Sequence, residues 1–474
     1  MSGRLVARNV SLLTVAQVVS LLAGLGTTMI LARALGPEGF GILGFGMALI
    51  GYFHMAATFG SDSWGAREIS RDRGQAGPIA GLILGPRLVM AGLSYLALIA
   101  LALMIAPDPT TRTVVLIQGL TLLSTVLLLD YAFQGVERME INALRQSAQA
   151  LAAMVGVALM VHGPHDVVLA ASLQVGVALL VAALSHAFGR RIFSGFRLVY
   201  DLSAWKTLMV RSAPFALIVL MGSIYNSVDI IMLEYMTDKT EVGHYVAAYR
   251  VALLSMIPHG ILFMAIYPAL SRAAGDKPAM RVWARRNAAI LMATGLPISV
   301  FGVAYPEAIL GFLFGESFLP ASATLRLLML NVGVLHLRVA FDAPLTAWNR
   351  ERRHAAVMVL TAVLNVGLNL WLIPDYGMEG AAIATLFSQF AALALFAVVH
   401  LRAAGGLPGL TLLKGLAAAV LAFAAASWVG VLGAGWSEIV LLIVGGCAVS
   451  VVFYPVALFL RLITWSEISQ IFNR

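Results

Sequence analysis

The stretch HAAVMVLTAVLNVGLNLWLIPDYGMEGAAIATLFSQF, residues 354–390, reads as two apolar helices joined by a sharp break, and the rest of the chain is read outward from it. Asn365 and Asn369 stand four apart, so on a helix they share one face. The break is expected at Ile373-Pro374-Asp375-Tyr376-Gly377, where proline removes a backbone donor and glycine favours a helix end. A second apolar helix begins near Gly380 and carries Thr385 about a turn in. Amide and hydroxyl oxygens in such a setting cost free energy unless something satisfies them.

Composition sets the medium. Of the 474 residues, 60% are hydrophobic and 11% charged, and the mean hydropathy is +0.91. A water-exposed surface cannot carry that apolar fraction, so a polytopic membrane protein is expected. The single cysteine, Cys447, excludes an intramolecular disulfide and a cysteine-built metal site, and it reads as a small hydrophobe in an apolar run. The N-terminal MSGRLVARNV lacks a small-residue cleavage site and leads into an apolar stretch, which is read as a retained first helix. The net charge of +8 is assigned to cytoplasmic loops, not to nucleic-acid binding.

Apolar runs long enough to span a bilayer, about 20 residues each, fall near 11–32, 41–60, 79–105, 113–133, 146–161, 167–188, 208–235, 243–270, 287–305, 325–346, 355–373, 379–401, 410–432 and 438–460. The expected fold is an all-α membrane protein of about 14 transmembrane helices. With the N-terminus inside, 24 Lys and Arg residues fall in inside segments and four outside: Arg33, Arg112, Lys239 and Arg326. That bias predicts both termini cytoplasmic. The polar segment 189–207, GRRIFSGFRLVYDLSAWKT, is basic with interleaved aromatics and reads as an interfacial helix on anionic lipid. It divides the chain into an N-lobe of six helices (1–188) and a C-lobe of six (208–401), with helices 13 and 14 and a tail in 402–474. At an offset of 202 residues LARALGPEGFGIL overlays LEYMTDKTEVGHY, Gly41 on Gly243. Repeated halves suit a transporter whose two ends open alternately.

Arg87, Arg250, Arg338, Asp130, Asp229 and Asp342 fall within the spans, and charges at that depth usually face a bundle interior or a watery cavity. No Ser/His/Asp spacing, Gly-rich phosphate loop or cluster of metal ligands is present, so catalysis is not expected. A membrane glycosyltransferase or polymerase would be expected to carry a large outer loop or an acidic metal motif, and neither is found.

LARALGPEGFGILGFGMAL after helix 1, LFGESFLPASATLRLLML before helix 10, LTAWNRERRH after it and VLNVGLNLWLIPDYGMEGAAIATLFSQ across helices 11 and 12 resemble the polysaccharide-biosynthesis flippases of the multidrug/oligosaccharidyl-lipid/polysaccharide exporter superfamily. The resemblance covers nearly the whole chain in order. It implies two six-helix lobes, two further C-terminal helices, and movement of an undecaprenyl-pyrophosphate-linked oligosaccharide from the inner to the outer leaflet of a bacterial inner membrane. Its implied partners are that glycolipid, membrane lipids, and a polysaccharide polymerase with its chain-length machinery.

A lipid-linked sugar needs cations for its pyrophosphate, donors or aromatic faces for its glycan and a side gap for its tail. Arg250 and Arg338 are the leading candidates for the pyrophosphate, with Arg87, His54 and Tyr249 as further lumen residues; structural ion pairs are the competing role, and Asp342 four residues beyond Arg338 could neutralise it. His336, Tyr225 and Tyr245 more often pack or hydrogen-bond within a core. Asp229 and Asn226 share one face of helix 7. With Asn365, Asn369, Thr385 and a backbone carbonyl near Ala381 they would form an oxygen cage of the kind hard cations prefer. Sodium would fit that cage; the resemblance implies that several members of the wider superfamily are cation-coupled, and it aligns Asn365, Asn369 and Thr385 with polar positions on the corresponding helices. An interhelical hydrogen-bond network stays open beside it, as does a protonatable Asp229 serving a proton gradient. No organic cofactor is implied. A lipid II flippase and a multidrug/cation antiporter of the same superfamily are the nearest alternatives, and a non-transporting scaffold would leave mid-membrane arginines without a task.

Overall fold

A backbone amide in hydrocarbon has no water to pair with, and this chain answers by running as helix almost throughout. The computed structural model describes residues 3–105, 108–348 and 350–463, with side chains throughout except at 3–14, 105, 214–215, 217–227, 261 and 264–265. No strand occurs among the described residues. Two compact units divide the chain, Met1–Glu234 and Tyr235–Arg474. The first holds α1 (Gly3–Thr58), α2 (Ser61–Arg71), α3 (Ala76–Ile105), α4 (Pro109–Gly119), α5 (Thr121–Leu127), α6 (Asp130–Gly135), α7 (Met139–Met160), α8 (Val167–Ile192) and all but the end of α9 (Leu202–Met236). The second holds α10 (Lys239–Leu254), α11 (Ile257–Arg272), α12 (Lys277–Ala304), α13 (Pro306–Phe314), α14 (Ser322–Ala347), α15 (Glu351–Ala404), α16 (Gly409–Leu432) and α17 (Glu438–Phe459).

Ten stretches among the described residues are long and apolar enough to cross a membrane. Two of them, Val15–Thr58 with 44 residues and Glu351–Ala404 with 54, far exceed the roughly 20 residues of one crossing. Each bends at a glycine in the left-handed region, Gly36 (φ 68°) in α1 and Gly377 (φ 52°) in α15. A side chain there would be strained. In α15 the chain doubles back so tightly that a Cβ on Gly380 would strike the Leu372 carbonyl. The expected run near 113–133 is interrupted at Leu120 and again at Leu128–Leu129, and the run near 243–270 breaks at Ser255–Met256, where Pro258 opens α11.

The linker differs from its expected form. Residues 193–201 are not helical; they form a strap laid along α3. Gly77, Gly81 and Gly85 recur every fourth residue on one face of α3, so the missing side chains leave a groove. A Cβ on Gly77 would meet the Ser194 carbonyl, one on Gly81 the Arg197 carbonyl, and one on Gly85 the Trp205 ring. Trp205 Nε1 also donates to the Val199 carbonyl at 2.8 Å. Phe193 joins a buried cluster with Trp64, Ile83, Tyr131 and Phe133. Of the strap's aromatics Phe193 is buried in protein, Phe196 is half-buried and Tyr200 is 82% exposed.

In the second unit, α16 docks through a seam of small residues, Ala418, Ala422 and Ala426, all fully buried against α12 and α17. Small side chains let helix backbones approach closely, which maximises dispersion contact where lipid offers no hydrophobic drive. The Tyr305 hydroxyl closes the seam by donating to the Ala426 carbonyl at 2.6 Å.

Candidate functional site

The mid-span charges separate by whether they have an acid. In the first unit Arg87 on α3 is 3% exposed and fully engaged: Nε donates to Ser61 Oγ at 2.8 Å, Nη2 to Asp62 Oδ1 at 2.6 Å, and the guanidinium lies 4.8 Å from the Tyr131 ring centre. It does not reach for the interface; it ties α2, α3 and α6 together. The turn at Phe59–Gly60, both with positive φ, presents Ser61 and Asp62 to it. Asp130 on α6 is likewise held, receiving Arg145 Nε of α7 at 3.0 Å and Arg145 Nη2 on its other oxygen. His54 is exposed on α1, within electrostatic reach of Asp62 and Arg87. Asp229 on α9 is buried and acts electrostatically on Tyr52 of α1. Asn226 and Tyr225 lie on α9, and their side chains fall outside the described residues.

In the second unit Arg338 and Asp342 of α14 form the anticipated i,i+4 pair, Nη2 to Oδ2 at 3.4 Å, with both side chains nearly buried. The pair is not alone. His354 Nε2 of α15 lies 3.9 Å from the same Asp342 oxygen, the guanidinium carbon of Arg338 stands 5.7 Å from the Phe396 ring centre, and Nη1 meets Met358 Sδ at 3.3 Å. Arg338 Nε has no hydrogen-bond partner among the described residues. Alongside, His336 and His259 meet edge to face at 5.7 Å. His336 Nδ1 pairs with the Val332 carbonyl, one turn back.

Arg250 is different. It stands exposed toward the C-terminal end of α10, and no hydrogen bond or ion pair joins it to any described residue. Next to it, Tyr249 stacks on Tyr245 with ring centres 6.1 Å apart and planes 9° from parallel. Tyr245 is buried at 1% exposure, so the flat face beside the cation is that of the partly exposed Tyr249.

The amides of α15 come together. Asn369 Nδ2 donates to Asn365 Oδ1 at 3.2 Å, and Asn365 Nδ2 reaches Thr385 Oγ1 at 3.5 Å across the Gly377 bend. Asn365 and Asn369 are buried, at 4% and 0% exposure. Asp229 belongs to the other unit, so within the second unit the cluster consists of neutral oxygens and amides. The second arm of α15 is capped by a partner that sequence reasoning missed: Glu241 of α10 accepts the Met378 amide at 3.0 Å. The available signal is the pairing of an acid in a first helical turn with a glycine break, which suits a helix N-terminus. His354 and Asp62 were also missed, because both lie at helix ends whose contacts are non-local.

These helices, bends and buried charges are those of a multi-pass membrane protein. The chain belongs to the polysaccharide biosynthesis protein family, whose model matches residues 6–274. It is 28% identical over 169 residues to a Haloferax volcanii protein named as a probable low-salt glycan biosynthesis flippase, Agl15, a match covering 35% of this chain and 36% of that one. It is 24% identical over 287 residues to an Escherichia coli K12 protein named as a putative O-antigen transporter, covering 56% and 64% of the two chains. The matches therefore span less than two thirds of either relative. Among solved structures, the lipid II flippase MurJ in an inward closed conformation aligns with a TM-score of 0.75 over 95% of this chain and 99% of that one, at 14% identity. An inward-facing multidrug resistance MATE family transporter aligns with a TM-score of 0.67 over 81% and 95%, at 15% identity. At such identities the likeness is one of fold.

Proposed function

We propose that this protein is a flippase that moves an undecaprenyl-pyrophosphate-linked oligosaccharide across the bacterial inner membrane by alternating access, through about fourteen spans with both termini cytoplasmic. The observation that carries the reading is Arg250: Arg87, Arg145 and Arg338 each hold an acid, whereas Arg250 holds none among the described residues. An unpaired cation at that depth is costly unless a mobile anion visits it. A pyrophosphate supplies such an anion, and the partly exposed Tyr249 offers a face to the sugars. Arg338 receives the phosphates second, once Asp342 yields it; Arg87 and His54 shape the first lobe's end of the path. Relatives named as a glycan flippase and an O-antigen transporter support the substrate class. Asn365, Asn369 and Thr385 of the second unit serve a coupling sodium ion, or Asp229 of the first unit serves a coupling proton, and polymerase and chain-length proteins receive the product.

The test is reconstitution into proteoliposomes with a fluorescent undecaprenyl-pyrophosphate oligosaccharide, its leaflet scored by quenching with and without sodium or proton gradients. Translocation should fall at least about tenfold in Arg250→Ala and less in Arg250→Lys, which keeps the charge and loses the bidentate fork. Full transport by Arg250→Ala at normal protein level would sink this assignment. Sodium dependence that survives in both Asn365→Ala and Asn369→Ala would leave those amides a packing role alone.

A further inference from the structure

At one end of the second unit, α12, α16 and the residues just after α17 line an open cavity of about 450 Å³. Four cationic side chains line it: Arg285 and Arg286 from α12, Lys414 from α16 and Arg461 after α17. No carboxylate is among its described lining residues, and Arg285, Lys414 and Arg461 form no ion pair with a described residue. Arg286 is oriented by stacking on Trp283, 5.2 Å from its ring centre. Like charges gathered round one small space repel one another, and a bound anion would reverse that cost.

Two backbone features point into the same space. The first turn of α16, Gly409 to Thr411, forms part of the wall, and no side chain caps it. Its free N–H groups and the positive end of the helix dipole add to the four cations. On the opposite side Arg461 has φ 54°, in the left-handed region that glycine normally takes at a helix end. The Arg461 amide donates to the Leu458 carbonyl at 3.0 Å and the Leu462 amide to the Ala457 carbonyl at 2.8 Å, the geometry of a helix stop. Glycine would serve that stop without strain, so the guanidinium serves something other than the turn.

The mouth adjoins apolar surface. Leu407 is 46% exposed, Leu410 69% and Leu413 66%, all on or beside the first turns of α16. This is also the end of the unit that the distribution of Lys and Arg assigns to the cytoplasm.

We infer that this cavity is a binding site for a phosphate group, with the neighbouring leucines favouring one that arrives on a lipid of the inner leaflet. Arg285, Arg286, Lys414 and Arg461 hold the phosphate oxygens, the α16 amides complete the cradle, and the acyl chains lie along Leu410 and Leu413. The site is separate from Arg250 and Arg338, and it does not depend on the transport reading.

The experiment is native mass spectrometry of the detergent-purified full-length protein with phosphatidylglycerol, phosphatidylcholine or inorganic pyrophosphate as probe. The intact protein should retain phosphatidylglycerol in preference to phosphatidylcholine. Occupancy should drop roughly tenfold in Arg285→Gln/Lys414→Gln, through loss of two charge-assisted contacts. Arg461→Gly should lose occupancy too while melting no lower than the parent, because glycine suits φ 54° there. Displacement of phosphatidylglycerol by pyrophosphate would mark the phosphate itself as sufficient, and resistance to it would mark a lipid-borne group. Equal retention of the two lipids by the intact protein, or unchanged retention by both variants, would overturn the site. Since the readout is binding, such a failure leaves the transport proposal untouched.

Discussion

Arg87 and Arg338 illustrate two ways of holding a cation at membrane depth. Arg87 is held by an acid from another helix, Asp62, which is itself half exposed. Removing that acid leaves a buried guanidinium with Ser61, the Tyr131 ring and a weak 3.4 Å contact to the Thr125 carbonyl, but no counter-charge among these. Asp62→Ala is expected to cost about 1–3 kcal/mol, the lower end reflecting solvent screening at Asp62. Thermal unfolding in detergent measures it, and a double variant with Arg87→Met should recover part of the loss because no lone charge remains. Arg338 is held by Asp342 on its own helix with His354 beside the same oxygen. Asp342→Asn releases Arg338, so pyrophosphate binding, measured by competition with the fluorescent glycolipid, should tighten while turnover falls because release slows. Unaltered binding in Asp342→Asn would mean that Arg338 never meets the phosphates.

At the scale of elements, the α15 hairpin rests on one backbone conformation and one borrowed cap. Gly377 sits at φ 52°, and a Cβ there would also collide with the Glu241 carboxylate that receives the Met378 amide. Gly377→Ala should therefore destabilise the second unit by about 1–2 kcal/mol from backbone strain alone. Glu241→Gln keeps the shape and weakens the cap, so its cost should be smaller, about 0.5–1 kcal/mol. Both are read from melting temperature. Equal effects would mean that the Glu241 contact, and not the bend, holds the hairpin. On α3, Gly81→Leu fills the groove that the 193–201 strap occupies. Limited proteolysis should then cut the strap at Arg197, while the parent resists.

Across the molecule, the arrangement of charge predicts topology. In a Cys447→Ala background, single cysteines at 276 and 350 should react with an impermeant maleimide only from the cytoplasmic side. Those at 238 and 375 should react only from outside. Labelling of all four from one side would reject the fourteen-span arrangement. Much of this is legible in the order of residues: apolar runs of bilayer length, the break at Gly377 and the Asn365–Asn369–Thr385 grouping follow from local rules, since helix period and glycine conformation act within a few residues. The extended form of the strap at 193–201, in place of the expected helix, depends on a glycine groove more than a hundred residues earlier, which composition does not reveal. Local pattern was therefore enough to establish a helical membrane protein and to mark which charges lie at depth. Whether each of those charges is satisfied came from packing, which gives Arg87 its Asp62 and leaves Arg250 with no acid among the described residues. Pairing depends on which helix faces which, and no window of sequence contains that information.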